Sequence, residues 1–126
     1  MKFPENLLYT TDHEWISFDG NQAYIGITDF AQKELGDIVY LDVETLNETV
    51  EKELIFGTIE AVKTVSDLFM PISGKVLEIN QKIMEKSELV NSDPYGEGWI
   101  IKIQVSDQTE KLSLLNSEQY KKLIGV

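Results

Sequence analysis

Cysteine is absent from the 126 residues. That excludes disulfides, thiolate catalysis and thiolate metal sites, leaves stability to packing, and is compatible with a reducing compartment. Histidine occurs once, as His13, so no second imidazole exists for a two-histidine metal site, and "HEW" lacks the second histidine of a zincin helix. No nucleophile elbow accompanies His13, which reads as an ordinary hydrogen-bonded polar residue at a strand start. No P-loop and no G-x-G-x-x-G motif occurs. No apolar run approaches the roughly 18–20 residues that span a bilayer. The start, "MKFPENLLYTTDHEW", has neither the apolar segment of a signal peptide nor the arginine-rich character of a transit peptide. A soluble, cytoplasmic protein without a membrane role is expected.

Basic residues are also scarce: 11 Lys and Arg against 22 Asp and Glu give a formal charge of −11. Such a surface repels phosphates and acidic membranes, so no nucleic-acid partner is expected. The charge favours solubility and steers the chain toward basic patches on partners. The length, 126 residues, fits one compact domain spanning 1–126, and a domain of this size buries roughly two-thirds of its unfolded surface.

What is present reads as short strands with turn signals. "HEWISFDGNQAYIGI" alternates with period two around "DGN", which suits a hairpin. "TDFAQKELG" reads as a short helix capped by Thr28, with Asp29 at the positive end of the dipole and Gly36 at its C-terminal end. "DIVYLDV" is a strand, followed by a polar stretch "ETLNETVEKE". "LIFGTIEAV" and "LFMPISGKVLEI" are β-branched runs on either side of Lys63, with Pro71 and Gly74 shaping the return strand. "NQKIMEKSELVNSDPYGEGW" is rich in breakers, with room for one weak helical turn, and "WIIKIQV" is a last strand. In the tail, Leu112, Leu115, Tyr120, Leu123 and Ile124 recur at helical spacing, with Ser117 as a start and Gly125 as an end. A faint internal repeat relates "GDIV" to "GKVL" and "GTIEAV" to "GWIIKI", with Lys63 between the halves. The pattern predicts a mainly β sandwich or flattened barrel.

Lys63 stands in "EAVKTVSD", at the centre of the most strand-like part of the chain. An unpaired ammonium buried between two strands would cost several kcal/mol or be forced to neutralise. At a hairpin tip it stays solvated, in a position fixed by the sheet and within reach of a modifying enzyme. On position alone, a plain solvated turn lysine is the better reading. An imine-forming lysine needs a deep apolar pocket, which nothing in the sequence provides.

"GTIEAVKTVSDLFMPISGKVLEIN" resembles the attachment segment of the glycine cleavage system H proteins, lipoyl carriers in which a lysine in an E-S-V-K-A-x-S-D setting bears lipoic acid. "HEWI", "IGITDFAQKELGDIVY", "SELVNSDPYGEGWIIKI" and "LLNSEQYKKLIG" resemble the same family in the same order, over nearly the whole chain. Biotin-carrier and dehydrogenase lipoyl domains share the hairpin idea but are shorter and usually show M-K-M or D-K-A at the tip.

The resemblance implies a barrel-sandwich hybrid with short peripheral and C-terminal helices. It further implies a lipoic acid cofactor in amide linkage to Lys63, and no enzymatic activity of the chain's own. The implied role is a shuttle. An aminomethyl group is received from the P-protein (glycine decarboxylase, pyridoxal-phosphate-dependent) and passed to the T-protein (aminomethyltransferase), and the lipoyl group is reoxidised by the L-protein (dihydrolipoyl dehydrogenase). Lys63 is presented to a lipoate ligase or lipoyltransferase with the help of Glu60, Val62 and Ser66, beside Asp67. The loaded arm is expected to fold back into a groove near "DHEW" and "SD", where Glu14 and Asp67 meet its amino group. A carrier that serves several enzymes is most simply a monomer. The same lysine would equally serve a lipoyl relay that donates its group to other enzymes.

Three departures from the family pattern lie in "DVETLNETVEKE": Glu44 replaces a proline, and Asn47 and Glu53 replace glycines. Asn47 tolerates left-handed geometry and Glu53 less so. Ala61 replaces the serine before "VK".

Overall fold

A computed structural model describes all 126 residues. In chain order the elements are β1 (Leu8–Tyr9), β2 (Glu14–Asp19), β3 (Gln22–Ile27), α1 (Asp29–Leu35), β4 (Ile38–Asp42), β5 (Thr49–Val50), β6 (Ile55–Ala61) and β7 (Val65–Phe69). They continue with β8 (Gly74–Ile79), α2 (Gln81–Glu85), α3 (Leu89–Ser92), β9 (Ile101–Val105), a 3-10 turn (Gln108–Ser113) and α4 (Ser117–Ile124). The strands form a six-stranded sheet, β1-β2-β3-β9-β8-β5, and a three-stranded sheet, β4-β6-β7. Every pairing is antiparallel.

Period-two burial on β3 and β9 of the large sheet, and buried positions spaced by register shifts on the small one, produce the core. Ile16, Ile25, Ile101, Ile103 and Val76 from the large sheet meet Leu41, Phe56, Ile59 and Leu68 from the small one. The architecture is the expected mainly β sandwich with peripheral helices. A second, aromatic cluster of Leu7, Tyr9, Trp15 and Tyr120 fixes the N-terminal segment against α4. There the Tyr9 and Tyr120 rings stack with centroids 4.9 Å apart.

The run "LFMPISGKVLEI" does not form one strand. It splits at Met70–Ser73, where the chain leaves the small sheet and enters the large one. The faint repeat has a structural counterpart: β4 pairs with β6, and β8 pairs with β9, each across a register shift. In the tail, Leu112 is 90% exposed and Leu123 points largely outward, while Tyr120 is buried. Asn116, rather than an apolar repeat, starts α4 through a capping box with Gln119, and Gly125 closes it in the left-handed conformation. Two short helices, α2 and α3, occupy the stretch read as a single weak turn.

Local signals place the small sheet. Thr28 Oγ1 accepts from Ala31 N–H and opens α1. Gly36 closes α1 at φ 81° and ψ −158°, a combination essentially confined to glycine. Two of the departures in the polar stretch, Asn47 at φ 68° and Glu53 at φ 71°, are both in the left-handed region. Glu53 N–H is held there by the Met70 carbonyl at 2.8 Å.

Candidate functional site: a lysine at a hairpin tip

β6 and β7 form an antiparallel pair whose last register match is Glu60 with Val65. Val62, Lys63 and Thr64 make the reversal, closed by a 2.8 Å bond from Ala61 N–H to the Thr64 carbonyl. Lys63 is exposed and belongs to none of the three ion pairs in the molecule. Its stem runs along Gly36: a Cβ placed on that glycine would lie 3.6 Å from Lys63 Cε and 3.9 Å from Nζ. Val62 N–H leaves the hairpin altogether and donates to the Asp37 carbonyl at 3.0 Å. The tip is therefore anchored to the α1–β4 turn.

The residues assigned to the attachment motif divide by strand alternation. Glu60, Val62 and Asp67 are exposed around the tip. Ser66, one residue before Asp67 on β7, instead lines a groove beside α1. Ala61 is buried at 3% and faces the core, so a serine there would have put its hydroxyl inside. Exposed apolar side chains flank the lysine: Val62 is 76% exposed, and Val39, Tyr40 and Val65 also face solvent.

The groove beside the tip has a volume of about 390 Å³ and is bounded by Asp12, His13, Ile27, Phe30, Ala31, Glu34, Leu35 and Ser66. His13 sits at φ 70° with Nδ1 2.9 Å from the Tyr120 hydroxyl, which is in turn 2.9 Å from Thr28 Oγ1. It is the hydrogen-bonded residue expected from its position. Burial pushes its pKa below the ordinary 6.5, against the opposite pull of Asp12 and Glu34.

Glu14 does not border this groove. It is 2% exposed; Thr10 Oγ1 donates to its Oε1 at 2.7 Å and Phe69 N–H to its Oε2 at 3.3 Å. Burial pushes its pKa up from 4.5 to about 8, with both hydrogen bonds working the other way and Asp12 adding to the rise. A carboxyl in this setting, buried and with both oxygens already accepting hydrogen bonds, is not a free anion for an incoming amine. Asp67, exposed on β7, lies outside the groove as well. The carboxylates that do border the groove are Asp12 and Glu34. Those two, and the apolar floor of Ile27, Phe30 and Leu35, had no signal in the linear pattern of an acidic chain. No group of histidines and carboxylates is arranged to hold a metal ion.

A profile of the glycine cleavage H-protein family matches residues 7–125. The chain belongs to that family. The glycine cleavage system H protein of Bacteroides thetaiotaomicron is 54% identical over 125 residues, covering 99% of both chains. That of Carboxydothermus hydrogenoformans is 49% identical over 121 residues, covering 96% of this chain and 93% of the relative. The crystal structure of a glycine cleavage system H protein from Mycobacterium marinum superposes with a TM-score of 0.88 at 33% identity, over 98% of this chain and 99% of that one. As an H protein the chain is a lipoyl-carrying shuttle with no catalytic activity of its own, and its partners are the other proteins of the glycine cleavage system. Membership fits the presence of a lysine displayed on a reversal that backbone bonds hold on both sides.

Proposed function

We propose that Lys63 is the residue that bears the lipoyl group, with the 126 residues acting as a single carrier domain. The observation that carries this reading is the placement of an exposed, unpaired ammonium on a tip whose backbone is held from two sides. When bound, the lipoyl group supplies a disulfide able to take up the aminomethyl group left when glycine loses carbon dioxide. The chain's own residues fit such an arm. Ile27, Phe30 and Leu35 offer an apolar bed beside the tip, and Asp12, Glu34 and Ser66 offer acceptors for a terminal amine. We assign the amine-facing role to Asp12 and Glu34. Asp67, exposed beside the tip, is left to the surface that visiting enzymes read, and buried Glu14 braces β2 against β7.

Val39, Tyr40, Val62 and Val65, with Glu60 and Asp67 among them, make an apolar patch with acidic members around Lys63. That chemistry suits the P-, T- and L-proteins and a lipoate ligase or lipoyltransferase in turn, each docking an apolar surface with basic residues around it. The chain acts as a monomer in this reading, because one tip has to enter several enzymes.

The test is an intact mass and peptide map after incubation with lipoate ligase, ATP and lipoate. One lipoyl amide confined to the peptide containing Lys63 is the expected result. An unmodified lysine under conditions that load a known carrier overturns the assignment. Reconstituted glycine decarboxylation then separates a glycine cleavage carrier from a lipoyl relay, since only the former supports carbon dioxide release.

A further inference from the structure

Asn91 is 28 residues from Lys63 in sequence and belongs to the four-residue helix α3, yet its side chain bears on the lysine's platform. Its Oδ1 accepts Ile38 N–H at 2.9 Å, and its Nδ2 donates to the Gly36 carbonyl at 2.9 Å. One amide therefore brackets Asp37 on both sides, as a paired strand would. The second Nδ2 hydrogen goes to Gln32 Oε1 at 3.0 Å, and Gln32 Nε2 in turn donates to Asp29 Oδ1 at 2.8 Å. Donors and acceptors are all used in one orientation, so the amide cannot flip without setting a donor against Ile38 N–H.

The bracketed residue is the one that anchors the tip. The Asp37 carbonyl accepts Val62 N–H, one residue before Lys63, and Gly36 lies under the lysine stem. The tip has no positive-φ residue or glycine of its own to fix its course. Beyond the last β4–β6 register match, Ile38 with Ala61, the tip's remaining link to the rest of the molecule is Asp37, and Asn91 holds Asp37 from both sides.

We infer that Asn91 is a positioning residue for modification of Lys63. The inference rests on the attachment reading above. In the step it serves, the neutral Nζ attacks the acyl carbon of a lipoyl adenylate, the bond to the phosphate oxygen breaks, AMP leaves, and the amine's proton passes to solvent. Misplacing a reacting atom by about 1 Å can cost on the order of a hundredfold in rate, and the Val62–Asp37 bond is the last rung of the β4–β6 ladder before the lysine.

Asn80 supplies a matched control. Its amide also makes three bonds, accepting from Lys82 N–H and donating to the Glu97 and Trp99 carbonyls, and none of these partners lies in α1, β4 or the tip. Full-length Asn91→Ala, Asn80→Ala and parent proteins are acylated by lipoate ligase with ATP and lipoate, well below their unfolding temperatures, while exchange of the Val62 and Ala61 amides is followed by NMR. Asn91→Ala should lower kcat/KM by roughly tenfold to a hundredfold. It should also speed exchange at Val62 more than at Ala61, whose bond is internal to the hairpin. Asn80→Ala should stay within about twofold of the parent despite a comparable loss of hydrogen bonds. Acylation of Asn91→Ala at the parent rate, or equal slowing in Asn80→Ala, overturns the positioning role and leaves the attachment reading intact. A parent protein not acylated at Lys63 overturns both. Asn91→Asp, which keeps the acceptor for Ile38 N–H and loses both donors, answers the same question should the alanine variant not fold. Its second oxygen is set against the Gly36 carbonyl and Gln32 Oε1, so its kcat/KM should fall well below the parent's, and parent-like acylation would again overturn the role.

Discussion

The β2–β3 tip and the β6–β7 tip both reverse the chain between antiparallel strands, by different means. At the first, Asp19 pairs with Gln22 around Gly20 and Asn21, and Gly20 takes φ 63° with open space about it. That turn is written in its own residues. At the second, Val62, Lys63 and Thr64 include no glycine and no left-handed residue, and the anchoring bond goes out to Asp37. A turn made by local chemistry reverses the chain wherever it is put. A turn held by the rest of the molecule is also placed, which is what the tethering role proposed for Lys63 requires.

The sharpest break in the comparison is Lys63→Arg. Arginine keeps the charge and cannot form the lipoyl amide. The side chain is exposed and makes no ion pair, so stability should change by no more than about 0.5 kcal/mol. Ligase treatment should add no mass, and reconstituted glycine decarboxylation should fall to background. Detectable carrier activity would place the tether elsewhere.

The next effect concerns the point where the two hairpins touch. Glu14 opens β2 and accepts Phe69 N–H from β7. Its pKa rises from 4.5 to about 8 on folding. Between those values the folded state holds a proton that the unfolded state has released, so this contribution is complete below 4.5 and is lost as pH rises toward 8. The slope approaches about 1.4 kcal/mol per pH unit for one proton. His13 works the other way: its lowered pKa makes stability rise with pH up to 6.5. Glu14→Gln, a neutral replacement for the protonated acid, should gain stability relative to the parent steadily across pH 4.5–8. Denaturant melts at half-unit pH steps give the difference. A pH-independent difference would mean that Glu14 is ionised in the folded protein.

Gly36→Ala comes third. The backbone at φ 81° and ψ −158° admits little but glycine, and forcing alanine there should cost about 1–3 kcal/mol. The new Cβ meets Lys63 Cε at 3.6 Å, an ordinary contact, so most of the loss should appear in thermal melts, with a smaller change in acylation. A variant as stable as the parent would show that the α1–β4 turn can relax without moving the tip.

The two tips also show what a sequence reveals. "DGN" announces its turn, and Thr28 and Gly36 announce the ends of α1, because caps and positive-φ positions are satisfied within a few residues. Lys63 was found by the company it keeps, a family motif, since nothing in "VKT" favours a turn. The placing of Asp12 and Glu34 on one groove, and the bonds of Asn91 to Gly36 and Ile38, arise only when α1, α3 and β7 come together. The misjudged helical face of Leu112 has the same origin: spacing suggested burial, but the chain bends at Leu114 before α4 begins. Glu14 was legible as a conspicuous acid beside His13, but its burial depended on β7 arriving over it.

The smallest effect belongs to the local tip and completes the contrast. Gly20→Ala introduces a side chain at φ 63° with nothing within 4 Å of the new Cβ. The cost is therefore conformational only, about 1–2 kcal/mol, and Gly20→Asn, which tolerates the left-handed region, should recover most of it. Neither variant should alter the acylation rate, because the β2–β3 tip carries no bond to the Asp37 platform. The pair separates loss of stability from loss of placement: two glycines at positive φ, one under the lysine and one remote from it. Slower acylation in Gly20→Ala would show that general loosening reaches Lys63. It would then weaken the view that the Asp37 anchor alone fixes where the tether stands.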